Sequence, residues 1–366
     1  AVSMALIKLS KSSLDKKEIL NVSKVLKKEF LGMGEEVFSF EKKLKKLFNR
    51  EVICVVNGFS ALHLALESCG IGRNDEVLVP SLTYVATYQA VAATGAIPIS
   101  CDVDLNSLNI SIEEIKKKIS KKTKAIIPVW FGGNPDGIKE IYDISKKFNL
   151  RVIEDAAHAF GSTIDKKLIG SFGDIACFSF DGIKNITSGE GGCVVTNDKR
   201  VIKILREKRV LGIKIRQGKN KWEPKVNIQG WRYHMSNIMA AIGLAQFKKK
   251  EILRKKRQLI AKIYDQKLNN KKGIKIFKRN YNEINPHIYP ILNMRHSTNK
   301  LFQYMKKNNI EVGRHYFPNH LLNKFKSKKL KFAEYVAKKI ITLPIHGDLT
   351  LEEQLKVIKC LKNFHK

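Results

Sequence analysis

The sequence predicts an α/β fold: a mostly parallel seven-stranded sheet flanked by helices, followed by a smaller α/β C-terminal domain. Three observations predict it. Seven apolar, β-branched runs fall within the first 197 residues. Most of the earlier gaps between them carry a helical pattern, and strands alternating with helices favour a parallel sheet covered on both faces. Beyond residue 197 the texture changes to a long helical stretch that carries the chain out of the sheet.

The runs are "VICVV" (52–56), "EVLVP" (76–80), "IPISCDV" (97–103), "AIIPVWF" (125–131), "RVIEDAA" (151–157), "DIACFSF" (174–180) and "GCVVTN" (192–197). Between them, "SALHLALESCG" shows a broad apolar stripe and stops at Gly70, and "YVATYQAVAATG" stops at Gly95. "GIKEIYDISKKFN" places Ile138, Ile141 and Ile144 on one side. The last strands are joined by loops. "SNIMAAIGLAQFKKKEILRKKRQLIAKIYDQKL" is expected as one long helix. It is followed by strands "GIKIF" and "HIYPILNM", helix "STNKLFQYMKKNN" and a final helix "LTLEEQLKVIKCLKNF". The expected division is a tail at 1–12, a large domain at 13–245 and a small one at 246–366. Ala1 to Ser3, ahead of Met4, read as an expression scar.

With 366 residues, 43% of them hydrophobic, the chain can bury a large core. Lys+Arg is 68 against Asp+Glu 34, a formal charge of +34. The lysines come as short clusters on several predicted helices ("KKLKK", "KKKISKKTK"), the pattern of solvated faces. No zinc-finger spacing or RRM signature accompanies them, so no specific nucleic-acid partner is expected. No apolar run approaches a membrane span, and no membrane partner is expected. Six scattered cysteines without a CxxC pair read as buried, reduced residues of a cytoplasmic protein.

Ligands of open α/β sheets sit beyond the carboxyl ends of the strands. Four groups fall there. Gly58, Phe59 and Ser60 precede a helix, where N–H groups favour a phosphate; a helix cap at Ser60 is the plain alternative. Tyr84 follows the second strand and can stack on a flat heterocycle or serve packing. Asp155, preceded by Glu154 and followed by His158, closes the fifth strand. A buried carboxylate there wants a partner, whether a structural donor or a cationic heterocycle. Ser179 lies at the end of the sixth strand and Lys184 follows it; lysine forms Schiff bases with carbonyls, a surface charge being the plain alternative. No metal-ligand cluster is read.

Taken in order, "NGFSALHLAL", "NDEVLVPSLTYVAT", "VIEDAAHAFGS", "GSFGDIACFSFDGIKNITSGEGG" and "GWRYHMSNIMAAIGLAQ" resemble the DegT/DnrJ/EryC1/StrS sugar aminotransferases over nearly the whole chain. The resemblance implies fold type I of the pyridoxal-phosphate enzymes. It implies that Lys184 holds the cofactor covalently and that Asp155 pairs with the pyridine nitrogen. Tyr84 would stack on the ring, His158 would meet the ring hydroxyl, and Phe59, Ser60 and Ser179, with Gly58, would cradle the phosphate. His234 would reach the phosphate of the neighbouring subunit in a homodimer with shared active sites. Phe59, His158 and His234 depart from the family's usual threonine, glutamine and asparagine or arginine.

The amino donor implied is L-glutamate, giving 2-oxoglutarate, with pyridoxamine phosphate between the two half-reactions. The acceptor implied is a nucleotide-linked keto sugar, first among them dTDP-4-keto-6-deoxyglucose aminated at C4. GDP- or UDP-linked and 3-keto sugars are the alternatives. The basic surface would assist capture of a diphosphate. His315, Tyr316 and His320 are expected at the sugar site, with a structural His-Tyr turn near Pro318 as the equal alternative. Family members acting as dehydratases carry histidine in place of the lysine, so Lys184 favours amine transfer. A basic binding protein without catalysis is the remaining alternative.

Overall fold

The computed structural model describes residues 5–214 and 224–366. Its centre is a seven-stranded sheet formed by β1 (Glu51–Val55), β2 (Glu76–Pro80), β3 (Ile97–Cys101), β4 (Thr123–Ile126), β5 (Arg151–Asp155), β6 (Ile175–Ser179) and β7 (Gly192–Thr196). The spatial order is β1-β7-β6-β5-β4-β2-β3. β7 runs antiparallel to both of its neighbours, whereas β2, β3, β4, β5 and β6 pair in parallel. The carboxyl ends of β1, β2, β4, β5 and β6 therefore open on one edge.

β1, β6 and β7 are buried on both faces, which explains their continuous apolar character, while the edge strand β3 exposes Ile97. One face packs on α2 (Glu35–Phe48), α6 (Ile138–Phe148) and α8 (Asn237–Lys248), and α1 (Lys16–Lys28) packs outside them on α8. The other packs on α3 (Gly58–Ser68), α4 (Val85–Ala93) and α7 (Lys199–Lys208). α6 shows the simplest logic: Ile138, Ile141 and Ile144 fall at helical spacing and are buried, while its lysines face solvent. α5 (Ile112–Lys118) follows β3.

The expected single long helix is two. α8 ends and α9 (Lys250–Leu268) begins across Lys249, whose backbone leaves helical geometry. Its ammonium turns inward to Glu18 Oε1 at 2.8 Å and to Asp15 Oδ2 and the Ser13 carbonyl at 3.0 Å. A buried ammonium requires such partners, and they lie on the N-terminal segment.

A second, antiparallel sheet follows, with β8 (Ile274–Ile276), β9 (Tyr289–Asn293) and β10 (Ile340–Leu343) in that order. α10 (Thr298–Lys307), α11 (Lys331–Lys339) and α12 (Leu351–Phe364) complete it. α11 and β10 were not expected from the sequence. The lysine-rich "KFAEYVAKK" buries only Ala333 and Val336, a stripe too thin to read as a helix. The segment expected as a tail is docked here: Ile7 is buried and bridges Ile310. The three residues ahead of Met4 lie outside the described residues.

All six cysteines are free thiols, and every one but the half-buried Cys69 is buried. Among the described residues, no helix is long and apolar enough to cross a membrane.

Candidate active site

At the carboxyl edge, α3 starts one residue after Asn57, whose Oδ1 accepts from the Ser60 N–H at 2.9 Å and from the Ser60 hydroxyl at 2.9 Å. The cap is thus Asn57, and the plain reading of Ser60 as the cap is corrected. Gly58 and Phe59 contribute the first two N–H groups, which have no partner within a helix. Ser179 stands directly beside them: a Cβ at Gly58 would come within 2.8 Å of Ser179 Cβ. Only a glycine allows the helix start to lie this close to β6. The Phe59 ring turns away and packs 5.8 Å from His63.

Asp155 closes β5 and is 6% exposed. Thr87 donates to its Oδ2 at 2.8 Å, and the Ala157 N–H donates to Oδ1 at 3.2 Å. Burial raises its pKa, against those two hydrogen bonds and the field of Lys184. No cationic side chain bonds this carboxylate among the described residues.

Lys184 sits in the loop between β6 and β7. Its N–H bonds the Asp181 carbonyl, and the loop closes where the Ser188 N–H meets the Phe180 carbonyl at 2.8 Å. Gly189 turns the chain with a φ of 81°, a left-handed conformation suited to glycine. Asn185 anchors the loop by donating to the Asn285 carbonyl at 3.0 Å. Ser12 donates to the Gly182 carbonyl at 2.6 Å. Burial brings the Lys184 pKa down to about 8, with Asp155 and Asp181 pulling the other way.

His158 is buried, and the Gly132 N–H donates to its Nδ1 at 3.3 Å. Burial, then the charge of Lys184, holds it well below the ordinary imidazole pKa. The proton of the neutral ring is therefore on Nε2, which lies 2.9 Å from the Tyr316 hydroxyl. Burial raises the Tyr316 pKa, so this phenol is neutral. Tyr84 is 62% exposed, with its ring 6.0 Å from that of Tyr316.

His315 bonds Thr342 Oγ1 at 2.8 Å through Nδ1 and is brought down to about 4 by burial and Lys184. His320 is a correction. It is fully buried, with Nδ1 2.6 Å from Ser81 Oγ and Nε2 3.1 Å from Glu334 Oε1. Both ring nitrogens are used within the chain, so it fastens the loop after β2 and offers nothing to a sugar. His234 lies on a bridge to Val55 at the end of β1, and its buried Nδ1 has no partner among the described residues.

Two residues at the site were missed by the sequence reading. Thr87 lies one turn into α4, where a threonine in an apolar helix gives no signal. His287 comes from the segment entering β9, and its Nε2 is 3.4 Å from Lys184 Nζ. "HIYPILNM" read only as a strand.

The chemistry of this donor set fits pyridoxal phosphate. The start of α3 with Ser179 is an anion cradle. The buried Asp155 carboxylate lacks a cation, which a protonated ring nitrogen supplies. A lysine of lowered pKa stands where it can bond an aldehyde.

The whole chain is similar to known proteins. The GDP-perosamine synthase of Escherichia coli O157:H7 is 34% identical over 370 residues, covering 99% of each chain. The aminotransferase TlmJ from Streptoalloteichus hindustanus superposes with a TM-score of 0.93 at 26% identity, covering 98% of each chain. The sugar aminotransferase CalS13 from Micromonospora echinospora gives 0.92 at 26% identity, covering 98% of this chain and all of that one, 100%. The family signature spans residues 12–362. The chain belongs to the DegT/DnrJ/EryC1/StrS aminotransferase family and is a pyridoxal-phosphate-dependent sugar aminotransferase.

Proposed function

We propose that the protein moves the amino group of L-glutamate to the C4 keto carbon of a nucleotide-linked 4-keto-6-deoxysugar. The observation that carries amine transfer is Lys184 beside Asp155 at one edge of the sheet, with its amine brought to a pKa of about 8 by burial. At pH 7 roughly a tenth of such an amine is neutral, against a few parts in ten thousand for an ordinary lysine. Pyridoxal phosphate, when bound, supplies an electron sink beside the carbon that gains or loses a proton.

The residues have distinct tasks. Gly58, Phe59 and Ser179 hold the phosphate, and Ser60 joins them when its hydroxyl turns from Asn57 Oδ1. Asp155, fixed by Thr87, holds a positive charge at the ring nitrogen. Neutral Lys184 takes a proton and, protonated, returns it. His158 and Tyr316 orient groups at the ring hydroxyl, and Tyr84 covers the face. His315 lies within the electrostatic reach of Lys184 and is the residue assigned to the sugar.

The likeness to a GDP-perosamine synthase favours a GDP-linked sugar over the dTDP-linked one expected from the sequence. The test is a panel of GDP-, dTDP- and UDP-linked 4-keto and 3-keto sugars with glutamate, read by product mass and NMR. A GDP-linked 4-amino product supports the reading. Amination at C3 alone overturns it.

We also propose a homodimer in which His234 reaches the partner's phosphate site. Its Nδ1, without a partner among the described residues, supports this, as do the exposed Ile19, Leu20, Phe30 and Phe38 on and beside α1 and α2. A monomer in light scattering at micromolar concentration contradicts it.

A further inference from the structure

The imidazole of His287 is 4% exposed, and its ring centre lies 4.3 Å from that of His158. Arg257 Nη1 donates to the His287 carbonyl at 3.2 Å, fixing the backbone from α9. Nε2 lies 3.4 Å from Lys184 Nζ, the atom on which the reaction turns. We propose that His287 is a catalytic residue whose Nε2 accepts a hydrogen bond from the Lys184 amine, aims that amine and sets the pH at which it becomes a free base.

Burial, then the charge of Lys184, holds His287 well below the ordinary imidazole pKa, so the ring is neutral with one acceptor nitrogen. Facing an ammonium, the acceptor is Nε2 and the proton sits on Nδ1. That Nδ1 is buried without a partner among the described residues. An unpaired buried N–H costs about 1–3 kcal/mol. An apolar side chain would avoid this cost, so stability does not explain an imidazole here. Contact with Nζ does.

The groups facing Lys184 are Asp155 from β5, Asp181 from its own loop, Arg257 from α9, and the rings of His158, His287 and His315. The carboxylates keep the proton on the amine, and Arg257 works against it. Each histidine is kept neutral by burial. Of these rings, His287 is the one with a nitrogen at hydrogen-bonding distance from Nζ.

The catalytic meaning rests on the aminotransferase reading, but the test does not. Lys184 of the cofactor-free protein is labelled with acetic anhydride across a pH series and read by peptide mass. Only the neutral amine reacts, so the rate climbs with pH and its midpoint reports the pKa, about 8 for this chain. His287→Phe removes the acceptor that stabilises the ammonium, and its midpoint is expected to fall by about one pH unit. His287→Gln presents an oxygen acceptor and is expected to keep the original midpoint. An unchanged midpoint in His287→Phe overturns the proposal. Should that variant fail to fold, His287→Ala decides it: added imidazole restores the midpoint if the contact is real, and no response overturns it. A shifted midpoint with no activity on any keto sugar leaves the contact standing and removes the substrate reading. The reverse pair of results does the opposite.

Discussion

Glu154 and Asp155 are neighbours at the end of β5, both buried, and point to opposite faces of the sheet. Glu154 accepts from Trp130 Nε1 at 2.8 Å and from the Tyr142 hydroxyl at 2.6 Å, and its pKa is raised to about 7 by burial. The fold has given it a donor for each oxygen. Asp155 has a hydroxyl and a backbone N–H, but its cation is left to come from outside the chain. Equal burial thus serves two ends. One carboxylate fastens α6 and the loop after β4, and the other is held ready for a ligand.

The largest effect expected is at the amine that faces Asp155. Lys184→Ala should lower turnover by roughly 10³-fold or more, because the covalent anchor and the proton carrier are lost together. Retained turnover, measured with glutamate alone in a single half-reaction, contradicts the assignment.

Asp155→Asn should cost about 10²-fold or more in rate, the loss of one aimed electrostatic group. It should leave the folding midpoint unchanged or higher, since a neutral amide is cheaper to bury than a carboxylate. Glu154→Leu should do the converse. It strands the Trp130 and Tyr142 donors in an apolar layer, at about 1–3 kcal/mol for each. Its rate should stay within about tenfold of the unaltered protein. Urea unfolding and steady-state kinetics on the two variants separate rate from stability. If both variants lose rate alone, the contrast between the neighbours is wrong.

The smallest effect concerns the phosphate cradle. Gly58→Ala brings a methyl within 2.8 Å of Ser179 Cβ and should weaken cofactor affinity about tenfold, roughly 1.4 kcal/mol. Fluorescence titration with pyridoxal phosphate reads this, and unaltered affinity removes Gly58 from the cradle.

The sheet was legible because its strands are short, apolar and regularly punctuated, so six of its strands fall where the runs lie, while β4 begins two residues before its run and ends at Ile126. Lys184, Asp155 and Ser179 were legible because motif order placed them at strand ends. Thr87 and His287 were not. Each acts through a contact between distant segments, 68 residues for Thr87 with Asp155 and 103 for His287 with Lys184. His320 misled for the converse reason: a histidine in an aromatic turn gives no sign that Ser81 and Glu334 already occupy it. The break at Lys249 was hidden because its ion partners come from the N-terminal segment.

The central claim is that one lysine among many bonds the cofactor. The direct measurement is borohydride reduction of the protein loaded with pyridoxal phosphate, followed by peptide mass analysis. The account predicts a single pyridoxyl phosphate adduct, on the peptide that carries Lys184. An adduct on any other lysine, or none on Lys184, contradicts it.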